Sequence, residues 1–244
     1  ISQGDLELYF NNGSCKLYYH GLELTKENGL RSSFSLSPKG KTYDSTQAVW
    51  DVTKESETKL VAKAKWPDLN ITQIWTLEVL KDKVTWHVET QTSKEVSLSN
   101  VEANLLLSSD YKDWISLFKQ GKFPKIYPWD KHWENTALLK ESNLLGVKST
   151  GKLPSLLFML AEDSALEKPL LRNTDYYIGA RALGFCNYKP VIDVQLGQQK
   201  LFHGEINIFN NDKDMYSHRD EIKRTLIISQ GDLELYFNNG SCKL

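Results

Sequence analysis

The 244 residues carry 30 Lys and Arg against 31 Asp and Glu, a formal net charge of -1, with 40% hydrophobic and 25% charged positions. That balance argues against a broad electrostatic nucleic-acid surface, and the longest apolar run, Leu156 to Ala161, is too short for a membrane-spanning helix. The apolar fraction is enough for a sizeable core without a disulfide framework. Cys15, Cys186 and Cys242 show no zinc-ligand spacing and read as reduced, partly buried thiols, so neither a metal nor a cofactor is expected.

Period-two alternation begins at once. Leu6, Leu8 and Phe10 share one face of a strand, Asn11-Asn12-Gly13 supplies residues that tolerate positive φ, and Cys15, Leu17 and Tyr19 alternate again, which predicts a hairpin. Further strands are predicted at 47–52, 59–66, 73–80, 83–90 and 95–108, then at 155–160, 176–183, 191–196 and 201–209. Turn signals at Ser37-Pro38-Lys39-Gly40, Trp66-Pro67-Asp68 and Lys81-Asp82 separate the early ones. Helical spacing is confined to 214–226, with a shorter candidate at 162–168. Many short strands with one or two short helices predict an all-β fold, a large antiparallel β-sandwich formed by 1–244 as one domain.

The last 17 residues, 228–244, repeat the first 17 letter for letter. Chance and ancient duplication are both excluded by the identity, and nothing else in the chain repeats. The open explanations are a permuted or extended domain, one unit of a near-identical tandem array, or a chain running past a repeat boundary; an engineered or array origin is favoured. The chain begins at Ile1 without Met, so its natural N-terminus is expected to lie upstream, and localisation is open. One sandwich has one slot for this hairpin, so the second copy is expected at an edge, loosely held, or in a neighbour's slot, a route to self-association.

The segment 110–135 breaks the strand pattern and concentrates Tyr111, Trp114, Phe118, Phe123, Tyr127, Trp129 and Trp133 among Lys, Asp and Pro. Sugar rings present apolar C–H faces to Trp and Tyr, while neighbouring polar groups bind hydroxyls. Tyr127, Trp129, Asp130, His132 and Trp133 are therefore candidate carbohydrate contacts, set against the alternative that the rings simply anchor a long loop. His87 and Glu89 share one strand face opposite Trp86 and Val88 and form a second candidate set, set against an ordinary solvated face. His203 and Glu205 lie two apart on one strand, a spacing that permits shared acid–base work, although no second catalytic group sits nearby in sequence. No nucleophile elbow, phosphate loop, dinucleotide fingerprint or zinc-protease motif is present. The oxygen-rich run 210–214 lacks the later Glu and central Gly of an EF-hand and reads as a turn with a helix cap.

The long strands, Trp66-Pro67, Gln73-Ile74-Trp75, the break at Asp110-Tyr111-Lys112-Asp113-Trp114 and the late strand His203-Gly204-Glu205-Ile206-Asn207-Ile208 together resemble the galactose-mutarotase-like supersandwich class. That class occurs in sugar epimerases, polysaccharide-degrading enzymes and bacterial polysaccharide-assembly proteins. The resemblance implies sugar binding and, for the epimerases, a general-base Glu with a His acid, a role that would fall to Glu205. The leading expectation is a non-catalytic carbohydrate-binding or polysaccharide-associated domain of bacterial origin. The alternatives are an epimerase or lyase using Glu205 with His203 or His132, and an assembly module acting through the duplicated hairpin.

Overall fold

The computed structural model describes residues 1–38, 40–139, 142–187, 191–228, 236–238 and 241–243, with backbone alone at 225–228 and in the last two stretches. Strict alternation builds its central strands. Along Ile71–Leu80 and Lys83–Thr92, Trp75, Leu77 and Val79 turn inward with Val84, Trp86 and Val88, and the residues between them turn outward. The two strands pair in antiparallel register, Trp86 opposite Leu77 and Thr90 opposite Gln73.

They belong to a sheet ordered Gln120–Lys122, Asp113–Ser116, Leu144–Val147, Ser155–Leu160, Gly197–Phe209, Lys83–Thr92, Ile71–Leu80, Lys59–Lys65 and Val49–Lys54. The facing sheet runs Ser2–Gln3, Leu6–Asn11, Ser14–Tyr19, Thr25–Leu36, Val96–Ser108, Ala180–Cys186, Lys168–Asn173 and Glu134–Ala137. We call the second of these the hairpin sheet, because it contains residues 1–19, and the first the tryptophan sheet. Their inner faces share one apolar cluster. Within it Trp86 touches Phe202 at 4.8 Å between ring centroids, and Phe158 of the tryptophan sheet meets Phe185 of the hairpin sheet at 5.2 Å. The architecture is the expected antiparallel sandwich.

Continuous apolar runs mark strands covered on both faces. Leu144–Val147 is buried throughout because Leu145 and Val147 face the core while Leu144 joins Ile115, Leu117, Leu157 and Met215 in an outer cluster, where the helix Asp212–Ile228 packs on Ser155–Leu160 and Gly197–Phe209. Asn211 caps that helix by accepting from the Asp214 N–H at 2.9 Å, the role its sequence suggests. Ala180–Cys186 is buried from Ala180 to Phe185, because Trp133 and Ile178 cover Leu106, Ala180 and Ala182 from outside.

Several elements differ from expectation. The short helix at 162–168 does not form; Asp163 instead lies in a turn with its carboxylate on His203 and Lys200, and Lys168 starts a strand. A helix of that length has too few turns to offset its nucleation cost. The strand expected from Tyr176 begins at Ala180, since Asp175 Oδ1 accepts from the Tyr177 and Ile178 N–H groups and folds 175–179 into a turn. Thr25–Leu36, a central strand of the hairpin sheet, was not anticipated; its alternation is broken by positive φ at Glu27 and Gly29. The segment 110–135 is less irregular than it reads, because Asp113–Ser116 and Gln120–Lys122 form a small hairpin at the edge of the tryptophan sheet.

Candidate functional site

The two sets of residues that the sequence nominates lie on opposite outer faces of the sandwich. With Trp86 inside, His87 and Glu89 project from the tryptophan sheet on the side away from the core, and His203 sits directly opposite His87 in the neighbouring strand. Their imidazoles stack with centroids 3.7 Å apart. His203 Nδ1 is 2.8 Å from Asp163 Oδ1, Lys200 also pairs with Asp163, and Gln198 donates to Glu89. Glu205 projects from the same face and holds Lys83 Nζ at 3.0 Å. Burial, and then the neighbouring His203, keep the His87 pKa below the usual histidine range, with Lys200 opposing protonation and Asp163 and Glu89 favouring it. The Lys200 and His203 hydrogen bonds hold the exposed Asp163 carboxyl at about 2.

The aromatic segment belongs to the other face. Leaving the tryptophan sheet after Lys122, the chain crosses one end of the sandwich and joins the hairpin sheet at Glu134–Ala137. Arg181, buried and unnoticed in the sequence, anchors this crossing. Its guanidinium donates to Pro124 O at 2.7 Å, to Asn173 Oδ1 at 2.6 Å and to Tyr111 O at 3.2 Å, and it lies over the Phe123 ring. The signal was faint, one Arg inside the otherwise small and apolar run 180–185. Tyr111, Trp114 and Phe123 are thereby buried as anchors, whereas Phe118 is exposed.

Beyond Pro124 the crossing turns outward. Tyr127 and Trp129 stack nearly parallel, 4.6 Å between centroids and 6° between planes. A tight turn fixes them: Asp130 Oδ2 accepts from Tyr127 N at 2.6 Å, and Asp130 N donates to Tyr127 O at 3.0 Å. Lys125 Nζ lies 5.4 Å from the Tyr127 centroid. Trp129 is 69% exposed although one of its faces rests on Tyr127. The 175–179 turn docks beside it through Tyr176 N donating to Asp130 O at 2.8 Å, bringing the exposed Tyr176 and Tyr177 to the same region. Those two tyrosines were read from the sequence as strand residues; the Asp175 turn is what frees them.

Trp133 has a different environment. It is half-buried on the outer face of the hairpin sheet, with the Arg31 and Arg172 guanidiniums 5.1 and 4.8 Å from its centroid. Arg172 makes a bidentate pair with Glu102, at 3.2 and 2.6 Å, and donates to Asn104 Oδ1 at 2.9 Å. Arg31 pairs with the buried Asp44. His132 is exposed at the rim. The structure therefore groups Tyr127, Trp129, Asp130, His132 and Trp133 at one end of the hairpin sheet's outer face, and separates them from His87, Glu89, His203 and Glu205. Among the described residues no cluster of three His, Cys, Asp or Glu is arranged to hold a metal ion, and no helix is long and apolar enough to cross a membrane.

No family model matches this chain, and no curated protein matches it. Its architecture is nevertheless shared. The Slr1438 protein from Synechocystis sp. PCC 6803 superposes with a TM-score of 0.60 at 7% identity, over 85% of this chain and 93% of that one. A putative aldose 1-epimerase from Klebsiella pneumoniae gives 0.56 at 11% identity over 89% and 78%. A galactose mutarotase-like protein from Lactobacillus casei gives 0.55 at 9% identity over 86% and 98%.

Two measurements follow from these side chains. Glu102→Gln leaves Arg172 without its counter-charge in a largely covered site and is expected to cost about 1–3 kcal/mol in urea unfolding; Glu134→Gln, an exposed edge residue, is expected to stay within about 0.5 kcal/mol. For His87 the sign follows from its lowered pKa: the unfolded chain takes up the proton first. Its stabilising share is therefore complete above the ordinary histidine value of about 6.5 and is lost as pH falls through and below it. The fall in urea midpoint between pH 7.5 and 5 is expected to be smaller in His87→Gln than in the parent. Taken together, the two sheets, their order and these superpositions give the chain the galactose-mutarotase-like β-supersandwich fold.

Proposed function

We propose that this protein is a non-catalytic carbohydrate-binding domain whose contact surface is the outer face of the hairpin sheet around Trp129. The supporting observation is the Tyr127–Trp129 stack: an exposed indole held flat by a second ring, itself pinned by the Asp130 turn. A rigid aromatic platform needs little ordering when a pyranose lies on it, so the contact is retained as affinity. Tyr176 and Tyr177 border the platform and carry hydroxyls suited to ring substituents. The fold also occurs in proteins described as putative aldose 1-epimerases and galactose mutarotase-like proteins, which is consistent with a sugar ligand.

The catalytic reading is less well supported by side-chain placement. Glu205 is committed to Lys83 and His203 to Asp163, on the face opposite the platform. A bacterial, polysaccharide-associated setting belongs to the same proposal and rests on the sequence resemblance.

Isothermal titration calorimetry against neutral and uronic-acid oligosaccharides tests the proposal. Trp129→Ala is expected to weaken binding about tenfold, the equivalent of about 1.4 kcal/mol, with an unchanged melting temperature because the side chain is mostly in solvent. Equal affinity in the parent and in Trp129→Ala would remove the platform from the account.

A further inference from the structure

The first hairpin is an integral part of the core. Leu6, Leu8, Cys15 and Leu17 are at most 2% exposed, and Phe10 packs edge-on against Trp50 at 5.0 Å. The receiving slot is closely shaped. Cys15 pairs with Gly29, where φ is +69° and a Cβ would sit 2.0 Å from Cys15 O. Gly13, at φ +80°, leaves room for Trp50 Nε1 and Ser45 O. Leu17 N donates to Thr25 Oγ1, and Ser2 N to Glu57 O.

Residues 228–244 have the same sequence as 1–17 and therefore the same complement of slot-filling side chains. Their described backbone forms the same hairpin in the same register: Tyr236 opposite Lys243, Phe237 opposite Cys242 and Asn238 opposite Ser241, as Tyr9, Phe10 and Asn11 face Lys16, Cys15 and Ser14. Among the described residues this second hairpin is a two-stranded sheet of its own, Tyr236–Asn238 with Ser241–Lys243, paired with neither large sheet. A lone two-stranded hairpin is marginal in water and gains most of its stability from packing.

We infer that the 228–244 hairpin is a donor for the first-hairpin slot of a second copy of this chain, giving a head-to-tail contact. Geometry favours a second copy over the same chain. The preceding helix runs toward the Asp113–Lys122 edge of the tryptophan sheet, where Lys223 Nζ lies 5.4 Å from the Phe118 ring. The Ile1 end of the slot lies by Glu57, beside the opposite edge. Six strand spacings separate Asp113–Ser116 from Lys59–Lys65, about 29 Å. The five Cα-to-Cα steps from Lys223 to Ile228 span about 18 Å even when extended. Exchange between copies replaces each slot contact with its duplicate, so connectivity and concentration decide which hairpin occupies the slot.

The full chain with Leu8→Asp, whose own first hairpin can no longer pack, tests the inference. Iodoacetamide labelling with site-resolved mass spectrometry and light scattering are read together, with Cys186 as internal reference. In the parent chain at low concentration Cys15 is expected to be protected, because it is fully buried. In Leu8→Asp the protection is expected to move to Cys242, with a cooperative melt and a mass of at least two chains. The combined Leu8→Asp/Leu235→Asp chain is expected to lose protection at both positions together with the cooperative melt. Leu8→Asp behaving like the double variant would overturn the donor role. A monomer with Cys242 protected would overturn the second-copy arrangement.

Discussion

The line of rings running from Phe10 through Trp50, Trp75, Trp86, Phe202 and Phe158 to Phe185 is the constraint from which the other features follow. It begins in the first hairpin, passes through five strands of the tryptophan sheet and returns to the hairpin sheet at Phe185. Large aromatic side chains at these inward positions fix the pleat of each strand, since a slip of one residue would expose the rings and turn outward-facing polar neighbours such as Thr76, Thr85 and His87 into the core. Trp86 inside requires His87 outside; Phe202 inside places His203 beside it. The histidine pair is thus a by-product of core registration as much as a feature in its own right.

The same constraint divides the polar surface into two unconnected faces. On the tryptophan sheet, charges are paired across strands and the helix covers the apolar strands. On the hairpin sheet no helix among the described residues lies over Ala180–Cys186, and Trp133 with Ile178 covers it. Trp133 is held there by the Arg31 and Arg172 guanidiniums over its ring and by the Glu134–Asn173 pairing beside it, while Arg181 ties the start of the preceding crossing to the sheet through carbonyl and amide oxygens. The Tyr127–Trp129 platform stands on that crossing, three residues beyond the Pro124 carbonyl that Arg181 holds, and is pinned locally by the Asp130 turn. Burial lowers the affinity of the Arg181 guanidinium for its proton, a cost that the surrounding oxygens offset.

Much of this was legible in the residues. The alternation around Trp75 and Trp86, the Asn12-Gly13 turn and the Asn211 cap carry local signals that tertiary structure has no reason to override. The Thr25–Leu36 strand was not legible, because Gly29 and Glu27 interrupt its alternation to let the first hairpin approach, and that approach is a long-range fact. The aromatic segment announced itself by composition, yet its division into buried anchors and an exposed stack depends on Arg181, Asn173 and Asp175, each remote in sequence or inconspicuous. Opposite faces cannot be told apart by composition either; the sequence nominated His87 with Glu89 and Trp129 with its neighbours as two sets, and only the sheets place them on different sides.

The most direct measurement of this division is a crystal structure of the full chain with a bound oligosaccharide. The account predicts a sugar ring lying on the free face of Trp129, bordered by Tyr176 and Tyr177. A sugar seated instead over the His87–His203 pair, with Trp129 left in solvent, would contradict it.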